Sequence, residues 1–470
     1  MAYSHGERLT ALDTTFLDLE APNVHMHVGS VGIFDPGPLA VGDAGIDFDQ
    51  ALALADTALA RVPRFRQKLA RTPVSGHPVW VDDAHFNLLY HLRHTALPLP
   101  GGERQLKRLV GRIMSQKLDR SKPLWELWFV EGLEGGQLAV ISKVHHCMID
   151  GVSGVDLLGA FMGPNESHRP SPREYSWIPR PHPSPGRLLT DELKRRASLP
   201  FRAMHGIGQA LREPARSLDG TTHAASGLAQ GLAKALSPAS ATSLNAPIGP
   251  HRRFDWTRTD FSAIREVRKK LGGTLNDVVL ACVAGATRHF LGGRGDDLSE
   301  IDFRAFVPVS TRTAAQRGRL GNRVSMLVAT LPVNEPDPRR RFERIKKETT
   351  QLKESGQSRG AEVIEEISDW TATAVLTRFS RLAASRRSYN LVVTNVPGPQ
   401  HPVYLSGARL LESFPLVPLF ENQGLGVALF SYDDALYWGF NADRDVVPDL
   451  HDFVLAIDRE LDILRGLAEK

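Results

Sequence analysis

Two apolar runs, at residues 125–130 (WELWFV) and 138–144 (LAVISKV), are rich in β-branched and aromatic residues. The Glu134-Gly135-Gly136 turn between them makes the pair read as a buried β-hairpin. Directly after it, Ser153 with Asp156 three positions on has the spacing of a capping box, and it predicts a helix over 154–162. Helical periodicity then recurs over 188–211, 228–236, 261–271 and 277–290. Strand-like runs fall at 303–309, 324–333 and 390–394, and a second hairpin at 426–432 and 436–441. Leu450, Phe453, Val454, Ile457, Leu461 and Leu464 repeat at helical spacing and predict a closing helix turned toward the core. The two blocks of mixed strands and helices are separated by residues 164–185, a Pro-, Ser- and Arg-rich stretch that reads as an extended, exposed linker.

The chain has 470 residues, of which 42% are hydrophobic and 23% charged, ordinary values for a globular protein with a sizeable core. No apolar run approaches the ~18–20 residues of a membrane span, and the first thirty residues lack a secretory apolar segment. Cys147 and Cys282 give no disulfide framework and suit a reducing cytoplasm. Phosphate-binding glycine motifs, zinc-type cysteine spacings and internal repeats are missing. Charge is uneven: residues 165–253 carry 13 Lys and Arg against 6 Asp and Glu, in a chain whose net charge is +4. Without interleaved aromatics or a binding motif, this basic stretch does not read as a nucleic-acid site. Basic amphipathic helices bind anionic interfaces, so it reads either as a peripheral contact with a membrane or lipid droplet, or as a solvated linker.

The chemistry is concentrated at the exit of the first hairpin, in His145-His146-Cys147-Met148-Ile149-Asp150-Gly151. A neutral imidazole, with its ordinary pKa near ~6.5, can take a proton from a hydroxyl, and a strand end fixes its ring better than a loose loop. Asp150 either orients that ring or pairs with an Arg and locks the turn. Gly151 removes a Cβ where a substrate approaches. A metal site built from His145, His146 and Asp150 is disfavoured, because adjacent residues of a strand point to opposite faces. A Cys147 nucleophile is disfavoured for the same reason, and because a buried cysteine is usually inert.

This heptapeptide matches the HHxxxDG signature of the CoA-dependent acyltransferase superfamily. An ordered set of further stretches resembles one branch, the bacterial wax ester synthase/diacylglycerol acyltransferases: Leu12-Asp13, Phe16, residues 19–23 (LEAPN), Met26-His27-Val28-Gly29, Pro123-Leu124-Trp125, residues 244–253 (LNAPIGPHRR), Asn276-Asp277, Gly321-Asn322 and residues 394–399 (TNVPGP). Cys147 stands where Ala or Ser is more usual. The resemblance implies an α+β fold of two chloramphenicol-acetyltransferase-like domains, mixed sheets plus helices, joined by a long basic connector and a crossover. In residue ranges these are 1–164, a connector at 165–245, and 246–470. It further implies that His146 is the general base, that His145, Asp150, Gly151 and Asn276 support it, and that Pro123, Leu124, Trp125, Asn322 and Asn395 meet substrate. Asn276 either stabilises the reacting centre or caps a helix. The implied reaction moves a long-chain acyl group from acyl-CoA to diacylglycerol or a long-chain alcohol, with acyl-CoA as substrate and no cofactor or metal. The expected enzyme is cytoplasmic and peripherally attached to the inner membrane or lipid droplets. Two other readings stay open: a non-catalytic lipid-binding relative, and a condensation-type acyltransferase that uses a carrier-protein thioester.

Overall fold

The expected hairpin forms, with Trp125–Glu131 antiparallel to Leu138–His145 and every residue of the second strand buried. Its turn runs through Gly132, Gly135 and Gly136, whose φ angles of 73°, 78° and 68° lie where a Cβ is disfavoured. A computed structural model provides this view; it describes residues 6–42, 45–60, 62–148, 158–166, 177–194, 197, 237–310, 324–354 and 388–469. The hairpin sits inside a seven-stranded sheet ordered Met162–Gly163, Tyr404–Leu405, Ala408–Leu416, His27–Asp35, Leu138–His145, Trp125–Glu131, Leu92–Ala96. A six-stranded sheet is ordered Arg252–Asp260, Ala435–Asp443, Leu425–Tyr432, Leu391–Pro397, Phe303–Ser310, Val324–Leu331.

The two sheets share chain. Ala408–Leu416 leaves the C-terminal half to pair antiparallel with His27–Asp35, and the chain then returns to the second sheet at Leu425–Tyr432. Two glycines make room for this packing. A Cβ on Gly439 would lie 1.8 Å from the Pro415 carbonyl oxygen on the crossing strand, and one on Gly29 would lie 1.9 Å from the Ser142 oxygen. The first apolar core consequently includes Leu410, Phe414, Leu416 and Tyr437 beside Val31, Phe34, Trp125 and Ile141. A cut at residue 246 would therefore separate strands of one sheet. The second core packs the helices Leu275–Gly293 and Leu450–Glu469 on the six-stranded sheet.

Element boundaries follow the periodicity, with informative departures. Phe261–Leu271 is helical as expected, and so is the closing helix, which continues to Glu469. The helix expected over 277–290 starts earlier because Thr274 is its cap: Thr274 Oγ1 accepts from the Asp277 amide, while Asp277 Oδ2 accepts from the Thr274 amide at 2.6 Å. Of the helix expected over 154–162, residues 154–157 lie outside the described residues. The remainder is not α-helical: Leu158–Phe161 is a 3-10 turn and Met162–Gly163 a short strand pairing with Tyr404–Leu405. The helix expected at 228–236 also lies outside the described residues.

Part of the connector is pinned rather than freely exposed. Arg180 donates to both carboxylate oxygens of Asp82 at 3.0 Å, Trp177 meets Phe86 edge-on, and Arg8 pairs with Glu192. Residues 185–194 are helical, and Leu188 is buried against Val79 and Val81 of the small sheet Glu7–Arg8, Pro78–Asp82, Gln67–Arg71.

Candidate active site

Sheet pairing brings His145 opposite His27, and the ladder runs one step further, with the His146 amide donating to the Met26 carbonyl at 2.7 Å. From the other side the His145 amide donates to the Leu124 carbonyl at 3.0 Å. The strand ends there and His146–Met148 form a 3-10 turn. This turn changes the geometry expected from strand alternation. Both imidazoles face the segment that begins as helix Ala11–Leu19, His146 stacking on Phe16 and His145 lying near Glu20, four residues on.

The two histidines have different surroundings. His145 is 1% exposed. Its Nδ1 accepts the Cys147 amide at 3.2 Å, so the neutral ring carries its proton on Nε2, 3.8 Å from Glu20 Oε1. Burial, and then the Arg120 guanidinium, push its pKa down to about 3. It is a neutral strut for the turn. His146 keeps a partly exposed surface, and its ring lies 3.8 Å from the Phe16 ring at 25°. Desolvation brings its pKa down to about 4, opposed slightly by its own carbonyl. Near neutrality His146 is therefore unprotonated and able to accept a proton.

Behind His145 lies a polar cluster that holds it. Glu20 Oε2 accepts from Arg120 Nε at 2.9 Å and pairs with Lys117 at 3.3 Å, while Oε1 faces His27 and His145, each at 3.8 Å. His27 Nε2 accepts the Leu118 amide at 3.4 Å. Lys143, on the same strand face as His145, is fully buried and donates to the Ile113 carbonyl at 3.0 Å, at the end of helix Glu103–Met114. Burial lowers the Lys143 pKa to about 8. Among the described residues no group of three or more His, Cys, Asp or Glu is arranged to hold a metal ion.

Asn276 and Asn395 are brought together from 119 residues apart: Asn395 Nδ2 donates to Asn276 Oδ1 at 2.8 Å. Asn276 is not the cap of its helix, since Thr274 fills that role. Among the described residues no hydrogen bond or ring contact joins this pair to His146. Pro123, Leu124 and Trp125, expected to meet substrate, are buried instead, the last two at 0% exposure. Trp125 Nε1 donates to the Phe65 carbonyl at 2.7 Å and its ring stacks on His91. Their tie to the site is through the main chain, by way of the Leu124 carbonyl. Asp150, Gly151 and Asn322 lie outside the described residues.

Sequence reasoning gave no role to Phe16, Glu20 or His27, although all three stood among the resembling stretches. The available signal was the histidine at the start of the strand His27–Asp35, which pairs with His145 and brings the two rings within 6.1 Å.

The halves meet close to His146. Asn23 Nδ2 donates to the Ile248 carbonyl at 3.1 Å, and the buried Arg252 guanidinium donates to the Asn23 and Gly249 carbonyls and to Asp443. Val24, Met26, Ile248 and Leu419 form an apolar cluster against which Phe16 and Phe420 pack.

Comparison with known proteins agrees with this architecture. Residues 9–279 match the wax ester synthase/diacylglycerol acyltransferase catalytic domain, and 320–465 the WS/DGAT C-terminal domain. A probable diacylglycerol O-acyltransferase of Mycobacterium tuberculosis is 34% identical over 454 residues, 94% of this chain and 92% of that protein. The O-acyltransferase WSD of Acinetobacter baylyi is 30% identical, with 98% of each chain covered. The solved wax ester synthase/diacylglycerol acyltransferase of Marinobacter aquaeolei superposes with a TM-score of 0.68 at 27% identity, covering 98% of this chain and 100% of that one. The first condensation domain of the calcium-dependent antibiotic synthetase, at 16% identity and a TM-score of 0.59, shares the fold. The chain belongs to the wax ester synthase/diacylglycerol acyltransferase family.

Proposed function

We propose that His146 is the general base of a direct acyl transfer, and that the acyl donor is a long-chain acyl-CoA. The chain is an O-acyltransferase of the diacylglycerol acyltransferase/wax ester synthase type, making a neutral lipid ester from a diacylglycerol or a long-chain alcohol. The observation that carries the residue assignment is the contrast between the two imidazoles: His145 is locked in a buried contact, and His146 is neutral and partly accessible.

In this reading His146 takes the acceptor hydroxyl proton as that oxygen attacks the thioester carbonyl, forming a C–O bond and a tetrahedral oxyanion. The oxyanion collapses, the C–S bond breaks, and the departing CoA thiolate receives the proton back from the imidazolium. A pKa of about 4 makes His146 a modest base but a strong acid once protonated. Because an ordinary thiol has a pKa of ~8.5, the return of the proton to CoA is strongly downhill. With its side-chain oxygen held by Asn395, Asn276 would serve an oxyanion through its amide hydrogens. No cofactor is required by these steps. The test is purified protein with labelled palmitoyl-CoA and a panel of diacylglycerols and alcohols, products resolved by chromatography. Ester formation with neither acceptor class would sink the assignment.

Cys147 is not needed for the chemistry. It is 0% exposed, and burial pushes its thiol well above the ordinary range, opposite to what a thiolate nucleophile requires. Cys147→Ala is expected to keep most activity. Trapping an acyl-thioester on Cys147 in acceptor-free enzyme would overturn the direct mechanism.

The acceptors are water-insoluble, and no helix among the described residues is long and apolar enough to cross a membrane. We therefore assign attachment to an interface by charge, through the basic connector. Part of the connector's apolar surface is used within the molecule, since Leu188 is buried, while Leu193 is 57% exposed beside exposed Lys194. Each basic residue near an anionic leaflet contributes ~1 kcal/mol, screened by salt. Vesicle binding should require anionic lipid, weaken at high ionic strength and fall when Lys194, Arg195 and Arg196 become Gln. Binding indifferent to all three moves the contact elsewhere on the protein.

A further inference from the structure

The stacked contact on His146 goes beyond what general-base chemistry demands. Phe16 sits in the middle of helix Ala11–Leu19, anchored at its start by Thr10, whose hydroxyl accepts the Asp13 amide. Phe16 also packs against the cluster of Val24, Met26, Ile248 and Leu419. Met26 is the same residue whose carbonyl fixes the His146 main chain. Main chain and ring of the base are thus both referred to one apolar cluster, and that cluster takes residues from both halves of the chain.

We propose that Phe16 is the positioning residue of the base, holding the His146 imidazole in plane and keeping water from one of its faces. The inference rests on His146 being the base. An aliphatic side chain would fill the volume without matching the flat face, leaving the imidazole free to rotate about its side-chain bonds. Among the described residues, the titratable and charged groups around the site are Asp13, Asp18 and Glu20 from the helix and its end, His25 before the neighbouring strand, His27 at its start, and His145 beside it. Lys117 and Arg120 follow helix Glu103–Met114, and Arg252 comes from the second half. Burial, which Phe16 supplies on one face, outweighs them as the cause of the low His146 pKa.

The sign of the pH effect follows. The base works only when neutral, so the rate falls as pH drops through its pKa. In the native enzyme the acid limb of kcat/KM is expected near about 4. Opening the ring to water moves that limb up toward the ordinary histidine value of ~6.5.

The experiment compares Phe16→Leu and Phe16→Tyr with the native enzyme in kcat, KM and pH profile. Phe16→Leu should lose roughly 10- to 100-fold in kcat, the cost of a misplaced reacting group, with KM for the acyl donor little changed. Its acid limb should move upward, and Phe16→Tyr should restore both kcat and the limb. A folded Phe16→Leu enzyme with reduced kcat and an unmoved acid limb would reduce Phe16 to a packing residue, as would unchanged kcat. A readout independent of turnover is the titration of Cε1-labelled histidine by NMR, with the His146 signal assigned from its loss in His146→Gln. If the native protein proves inactive with every acceptor, the acyl-transfer reading fails. The NMR titration of native and Phe16→Tyr proteins against Phe16→Leu, or Phe16→Met if the Leu variant does not fold, still decides whether Phe16 controls that ring.

Discussion

His146→Ala is expected to lose ~10²- to 10⁴-fold in acyl-transfer rate while the protein keeps its fold, because it removes proton transfer and little packing. Only the ring leaves: the amide that holds the turn to the Met26 carbonyl is main chain and survives the change. His145→Ala should behave differently. It removes a buried ring that accepts the Cys147 amide and leaves Glu20 facing a void, so its activity loss should be smaller per folded molecule and accompanied by a lower melting temperature. The measurement is single-turnover acyl transfer for both variants, alongside thermal unfolding. A His146→Ala enzyme as fast as the native one would remove the mechanism. A His145→Ala enzyme that melts normally but is as inactive as His146→Ala would move the base one residue back.

What the chain discloses about this site, and what it withholds, depends on the range of the interactions involved. Hydrophobic periodicity is local, and it located the hairpin that ends at His145, the helix Phe261–Leu271 and the five second-half strands Phe303–Ser310, Val324–Leu331, Leu391–Pro397, Leu425–Tyr432 and Ala435–Asp443. The heptapeptide and the other ordered stretches pointed to the family, and the comparisons bear out that family. Pairing partners are not local. The periodicity gives no strand at Ala408–Leu416, and nothing local says that this segment leaves its half to lie beside His27–Asp35. The same limit hid Glu20 and Phe16, whose contacts with the histidines exist only after a helix from residue 11 docks on a turn at residue 146. At Asn276 the signal was present and passed over: Thr274-x-x-Asp277 is itself a capping pattern, and it removes Asn276 from the cap.

The Pro123-Leu124-Trp125 stretch shows the same point from the opposite side, because its own pattern already spoke for burial. An apolar run led by Trp125 becomes an interior strand, and Trp125 ends with 0% exposure, its ring stacked on His91 at 4.6 Å and edge-on to Phe65 at 5.8 Å. Trp125 pairs with Val144, and the residue before it holds the His145 amide, so this corner sets the register that delivers both histidines. Trp125→Ala should therefore cost ~3–5 kcal/mol, the usual range for emptying a buried indole site. The Phe65 carbonyl would also lose its donor. Trp125→Phe keeps most of the volume and forfeits only that bond, so its cost should be nearer ~1–3 kcal/mol. Unfolding by denaturant measures both, and activity should be expressed per folded molecule. If the tryptophan acts through support, the Phe variant keeps a near-native KM for acyl donor and acceptor, and activity in the Ala variant falls in step with the folded fraction. A Trp125→Ala protein with native stability and a strongly raised KM would instead put this side chain against the substrate, and would require the strand to open when substrate binds.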